Sequence, residues 1–174
     1  KFITLREDDE IVSVKKTTGD NEILMASSNG RMVRFNESGV RVMGRSASGV
    51  KGINLDGGEL VGMEVAQTDG LILTVTEKGY GKRGRFEDYK VHGRGTGGQR
   101  VFGNVDNKGE IIGALAVSDN DEIVCMTGQG KTLRVKASVI NVQGPASSGV
   151  SVVKIDEPDY LVGFDKIVND DKDE

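Results

Sequence analysis

Seven basic side chains fall between residues 78 and 100: Lys78, Lys82, Arg83, Arg85, Lys90, Arg94 and Arg100. Only Glu87 and Asp88 oppose them. Clustered guanidinium and ammonium groups attract anionic oxygens even in a chain of net charge −4, because the local field sets the encounter. The acid is concentrated elsewhere, in short linkers and in five acidic residues from Asp165 onward. Further cations stand at Arg31, Arg34, Arg45, Lys51, Lys131, Arg134 and Lys136. The chemistry open to this set is electrostatic binding of a polyanion rather than bond making.

Covalent chemistry finds little to work with. TGQGKT (127–132) has the look of a phosphate loop, but that motif needs a glycine where Cys125 stands and a helix where LRVKASVI reads as strand. GRGTGGQR (93–100) has no βαβ pattern around it and reads as a structural loop. His92 is the only histidine and Cys125 the only cysteine, so no zinc ligand set assembles. Cys125 sits in the apolar run EIVCM and is expected to be an inert core thiol, not a nucleophile for His92. Three tyrosines and no tryptophan are too few for a base-stacking platform. No catalytic residue, metal, cofactor or small-molecule substrate is expected in this segment.

The elements that must position the cations repeat with a period of about fifty residues. Gly30, Gly79 and Gly130 each close a polar turn after an apolar run. Gly44, Gly93 and Gly144 each open a loop: GRSASGV, GRGTGGQ and GPASSGV. Glu59, Glu110 and Tyr160 start ELVGM, EIIGA and YLVGF. Such a period indicates a modular all-β array whose units bury their apolar faces against one another. The blades are expected at 6–55, 56–105 and 106–155, with partial strands at 1–5 and 156–168 and an acidic, disordered tail at 169–174.

Each unit reads as four short strands. The first offers EIVSVKK (10–16), EILMASS (22–28), GRMVRFN (30–36) and GVKGINL (49–55). The second offers ELVGMEVAQ, GLILTVTE, GYGKRGRF and QRVFGNV; the third EIIGALAV, EIVCMTG, KTLRVKA and GVSVVKI. Asn29-Gly30 is a tight-hairpin signal. Side chains alternate across a strand, so each hairpin is expected to carry an apolar face and a basic face, with the basic faces forming a band around a rim. The acidic linkers (REDDE, DGGE, DNKGE, DEPDY) are expected at the opposite edge.

TEKGYGKRGRFEDY followed by GRGTGGQRVF resembles a blade of the C-terminal domain of the DNA gyrase A subunit. That family's T-E-x-G-Y-G-K-R turn is matched by Thr76, Glu77, Gly79, Tyr80, Gly81, Lys82 and Arg83. GRSASGV (44–50) and GPASSGV (144–150) fit its looser loop pattern, and the likeness runs to about Val168. The resemblance implies a β-pinwheel, a propeller-like disc of four-stranded antiparallel blades that exchange strands. It implies a part of an ATP-dependent type II topoisomerase that wraps duplex DNA non-specifically around a basic rim to support negative supercoiling. Its partners would be the remainder of gyrase A, together with gyrase B, in a bacterial cytoplasm. The lone thiol, and the absence of any run near about 18 apolar residues, agree with that compartment and with no membrane partner.

The residues this reading assigns to DNA are Arg31, Arg34, Arg45, Lys82, Arg83, Arg85, Arg94, Arg100, Lys131 and Arg134, with Lys51 and Lys136 behind them. Two features depart from the family. Its Gln-Arg-Gly-rich basic box is not in the chain, and Pro145 replaces the arginine of the other loops, so the third blade is expected to grip less well. Leu5, Leu55, Val105 and Ile155 are evenly spaced, so the chain is expected to be excised from a longer polypeptide, as the C-terminal half of a disc. The rival readings are the DNA-bending C-terminal domain of topoisomerase IV and, in another class, a protein-interaction propeller.

Overall fold

The computed structural model describes residues 3–103 and 105–167. The expected tail at 169–174 lies outside them. The fold is all-β, with three antiparallel sheets. The strands are β1 (Glu22–Ser27), β2 (Arg31–Asn36), β3 (Leu60–Val65), β4 (Leu71–Thr76), β5 (Tyr80–Arg85), β6 (Gln99–Arg100), β7 (Ile111–Val117), β8 (Glu122–Thr127), β9 (Thr132–Lys136), β10 (Val150–Ser151) and β11 (Leu161–Lys166). Three hairpins, β1–β2, β4–β5 and β8–β9, turn at Gly30, Gly79 and Gly130, whose φ angles of +80°, +81° and +81° suit a residue without Cβ.

The sheets cut across the repeat. Their strand orders are β3-β1-β2-β6, β10-β5-β4-β7 and β11-β8-β9. Each sheet takes its central hairpin from one unit and its outer strands from the next. This is the strand exchange that the resemblance implies. It also explains a difference from expectation. Residues 10–16 and 49–55 form no ladder, although their sequences alternate like strands. Their counterparts, β3 and β6, pair with the hairpin of the preceding unit, and among the described residues no hairpin lies ahead of residue 10. QRVFGNV is likewise a strand only over β6; the chain then turns through one helical turn, α1 (Val105–Lys108). GVSVVKI is a strand only over β10.

The apolar runs explain the layering. β4 is buried on both faces, so LILTVT reads as a nearly continuous apolar run. Ile72 packs into a core with Leu24, Met32, Phe86, Tyr89 and Phe102. Leu73 and Val75 point the other way, into a core with Ile123, Cys125, Ile140 and Leu161. The middle sheet is therefore packed on both sides, and each fully buried aliphatic side chain stabilises the stack by roughly 1.5–3 kcal/mol. The glycine shared by ELVGM and EIIGA lets neighbouring units close up. A Cβ at Gly62 would meet the Ala114 backbone at 2.9 Å, and one at Gly113 would meet the Phe164 ring at 2.8 Å.

The acidic linkers do not occupy an edge of their own. Asn29 Nδ2 donates to the carbonyl of Leu55 at 2.9 Å, and Gln129 N–H donates to Asp159 at 3.1 Å, which places these linkers beside the hairpin turns. Asp106 lines the same cleft as Arg31 and Arg100. The cause is the strand exchange: each linker precedes an outer strand that must run back along the hairpin before it.

Candidate nucleic-acid interface

The cations of the hairpins divide into two populations. Lys82 is wholly buried. Its Nζ donates to the carbonyls of Gly144 (2.7 Å), Pro145 (2.6 Å) and Ser147 (3.3 Å) and to Ser147 Oγ (2.9 Å). The ammonium also lies 5.6 Å from the centre of the Phe102 ring, and burial lowers its pKa to about 8 against a weaker opposing pull from Asp88. Arg83 is buried as well. Its Nε donates to Ile140 O at 2.7 Å, and the rest of its guanidinium reaches Asp119 and Ser138 O. These two residues, expected on a solvent-facing basic rim, are instead ties between units. The backbone confirms the junction: Arg83 forms a parallel bridge with Val142, and Gln143 N–H donates to Arg83 O at 2.8 Å.

Arg34 repeats the arrangement one unit earlier. It pairs with Glu22 and donates to the carbonyls of Phe86 (2.7 Å) and Tyr89 (3.0 Å), and it bridges Val91. Those acceptors belong to a 3₁₀ turn, Phe86–Asp88 capped by Tyr89; the turn Ala137–Val139 capped by Ile140 serves Arg83. Arg134 holds the same position in the third hairpin but is exposed, as are Lys131 and Lys136. Arg85 is exposed beside Glu87 at 3.8 Å.

Sequence reasoning missed the receiving turns and the carboxylates Glu22 and Asp119. A usable signal was present. Lys82 and Arg83 are adjacent on a strand, so they point to opposite faces and cannot both lie on one basic face.

A ledge formed by loop 93–98 and β6 carries Arg94 and Arg100. Arg31 lies directly opposite Arg100 across the β2–β6 ladder, and its Nη1 donates to Gly98 O at 3.3 Å. Arg94 donates to Gly39 O at 3.0 Å and to Lys51 O at 3.2 Å, so loop 93–98 leans on the first unit. The N–H of Gly95 donates to Gly52 O, and that of Asn54 to Thr96 O. Arg94, Arg100 and Lys51 are exposed and Arg31 is partly so. The structure thus pairs Arg31 with Arg100 across the ladder and Arg94 with the Lys51 segment, the two pairs joined through loop 93–98. Arg45 is exposed on the preceding loop, whose Ala47 O accepts from Thr4 N–H. Like charges directly opposite on a sheet repel, and Asp106 lines the same cleft as the pair.

Cys125 is buried in the second core, and burial pushes its thiol up to about 11. His92 is exposed. TGQGKT is the β8–β9 turn, followed by a strand.

The family described as "DNA gyrase C-terminal domain, beta-propeller" matches residues 1–18, 21–67, 70–118 and 121–167. The chain belongs to this family. Three of the four matched segments open just ahead of a hairpin and run on through the outer strand contributed by the next unit, as the sheets do. The DNA gyrase A subunit of Salmonella typhimurium strain LT2 is 36% identical over 173 residues, covering 99% of this chain. That of Staphylococcus aureus strain NCTC 8325 is 34% identical over 175 residues. The chain spans only 20% of the length of either relative. A solved structure of a DNA gyrase A C-terminal domain superposes with a TM-score of 0.85 at 29% identity, covering 96% of this chain and 57% of that one. The C-terminal domain of a DNA topoisomerase IV gives 0.88 at 28%, covering 95% and 52%.

Proposed function

We propose that this chain binds duplex DNA without sequence preference and bends it along the cationic ledge, as part of a bacterial DNA gyrase A protein. The observation that carries the reading is the exposure of Arg94 and Arg100 on loop 93–98 and β6, with Arg31 on the strand opposite Arg100 and the Lys51 segment against Arg94, in a member of the gyrase C-terminal domain family. Arg45 extends it toward the first loop, and Arg85, Lys131 and Arg134 supply further contacts on the later hairpins. Guanidinium groups on loops contact phosphates and leave base edges unread, so affinity is sequence-tolerant and salt-dependent. Bending a 20–30 base-pair segment costs roughly 1–6 kcal/mol, which distributed phosphate contacts offset. In the whole enzyme, with gyrase B, the bend becomes a wrap that fixes the crossing presented for strand passage and so supports negative supercoiling.

Fluorescence anisotropy with a duplex of about 30 base pairs, titrated from about 50 to 200 mM salt, tests this. The expected result is an affinity that falls by orders of magnitude across that range and is indifferent to sequence. Binding that ignores salt would point to a protein-interaction surface instead.

The likeness to a topoisomerase IV domain favours a second reading, bending without wrapping. Ligation of nicked circles in the presence of the chain separates the two. A shift in linking number supports the wrap; an unchanged distribution supports the bend alone.

A further inference from the structure

Loop 144–150 carries Pro145 where the other two loops carry Arg45 and Arg94, and on side chains alone it is the weak point of a DNA path. The residues beneath the loops change that picture. Gly98 of the second loop lies on the backbone of Met32 and Val33, and Gly149 of the third lies on Gly81. Successive loops thus rest on equivalent places of successive hairpins. Val33 stands under the loop that carries Arg94, and Lys82 stands at the same hairpin position under the loop that carries Pro145. Between these two matched positions, the loop position of Arg94 or Pro145 and the hairpin position of Val33 or Lys82, each pair holds one cation, on the loop in the first case and beneath it in the second.

The buried ammonium also fixes which way the loop's peptides face. The carbonyls of Gly144, Pro145 and Ser147 all turn inward to Lys82 Nζ. In a trans peptide the following N–H points the opposite way, so the N–H groups of Ala146 and Ser148 face outward. Proline at 145 has no N–H to lose. Ala146 and Ser148 are exposed, and among the described residues neither N–H has a protein acceptor. Lys82 forms no ion pair among the described residues, so its charge is not cancelled by a carboxylate within contact distance. Outward N–H groups over a buried cation with no contacting carboxylate present positive potential to an anion.

We propose that loop 144–150 is a phosphate-contacting element of the DNA path, with its positive charge delivered from beneath by Lys82 in place of the arginine that Arg94 provides from above. This rests on the DNA-binding reading. Lys82 is in this account a positioning residue that touches no DNA. The second loop is held by side-chain bonds from Arg94 to its neighbour; the third is held by an ammonium acting on its carbonyls.

The test is a backbone-amide titration of the isotope-labelled chain with a short duplex, joined to a charge exchange. The amides of Ala146 and Ser148 are expected to shift together with those of residues 94–98. Shifts at 94–98 without shifts at 146 and 148 would overturn the proposal while leaving DNA binding intact; no shift anywhere would overturn the DNA-binding reading itself. Lys82→Met is expected to lower the magnitude of the salt slope by about 0.9, roughly a threefold smaller affinity loss between 50 and 200 mM salt. Lys82→Val combined with Pro145→Arg, which copies the second loop, is expected to restore it. A folded Lys82→Met chain with an unchanged slope would show Lys82 to be a structural tie alone. If Lys82→Met does not fold, the amide shifts of the unmodified chain decide.

Discussion

Arg34 and Arg83 stand at the same place in successive hairpins, and each closes on the 3₁₀ turn of the unit that follows, Arg34 through Tyr89 O at 3.0 Å and Arg83 through Ile140 O at 2.7 Å. The contact joins a hairpin to the unit whose outer strands complete its sheet. It is therefore a bond of assembly, made twice with the same donor type and the same kind of acceptor.

Arg83→Met is expected to cost about 3 kcal/mol of stability, because charge-assisted bonds to buried carbonyls are lost and the acceptors are left without donors. Arg134→Met removes the same residue type from the same repeat position, but from solvent, and is expected to stay within about 0.5 kcal/mol. Paired chemical denaturation measures both. Equal losses would mean that the inter-unit contact of Arg83 is not the source of its effect.

For duplex binding, Arg31→Gln and Arg100→Gln are each expected to reduce the magnitude of the salt slope by about 0.9, one phosphate contact apiece. Asp106→Asn should do the reverse and tighten binding, since Asp106 lines the same cleft. Anisotropy at several salt concentrations reads all three. Tightening by Asp106→Asn with no loss from the arginine variants would move the contact elsewhere on the rim.

The pH dependence of stability follows from Lys82. Burial holds its pKa at about 8, below the roughly 10.4 of a free lysine. A lysine whose folded value is the lower one penalises the folded state below both values, and the penalty fades as pH rises between them. The chain is thus expected to gain stability relative to Lys82→Met between about pH 7.5 and 10, by at most about 3 kcal/mol. Tyr89, whose phenol burial raises, opposes folding at still higher pH, but it is common to both proteins and cancels in the difference. Parallel thermal melts at the two pH values would show it; a constant gap would mean that Lys82 titrates as in water.

Cys125 offers a check on the second core. Its buried thiol is expected to resist a disulfide reagent at about pH 8 until denaturant opens the sheet, because the thiolate is scarce at a pKa of about 11. Rapid labelling of the native chain would place Cys125 outside the core.

Much of the fold was legible in the sequence because its signals are local. Asn29-Gly30, the alternation of KTLRVK and the continuous run LILTVT each specify a hairpin or a doubly buried strand within a few residues. The fate of EIVSVKK was not legible. Its pattern is as strand-like as that of ELVGMEV, but a strand needs a ladder partner, and pairing is decided by the unit before. The candidate site was harder for the same reason. Alternation tells which way Lys82 and Arg83 point, not what covers them, and the cover comes from residues 138–147. Arg94 on loop 93–98 and Arg100 on β6 remain exposed, so their accessibility, unlike that of Lys82 and Arg83, agrees with the pattern of the chain.

Completing every sheet with strands from the following unit has a mechanical consequence. Two blades joined only by apolar faces could hinge apart like pages. Here, splaying the first two sheets would require β3 or β6 to peel from its ladder, since both belong to the chain segment that also builds the second sheet. Load along the array is carried by hydrogen bonds in shear and by covalent backbone. A stiff duplex forced to curve would thus press on a former that cannot yield at its joints, and the strain of bending would remain in the nucleic acid.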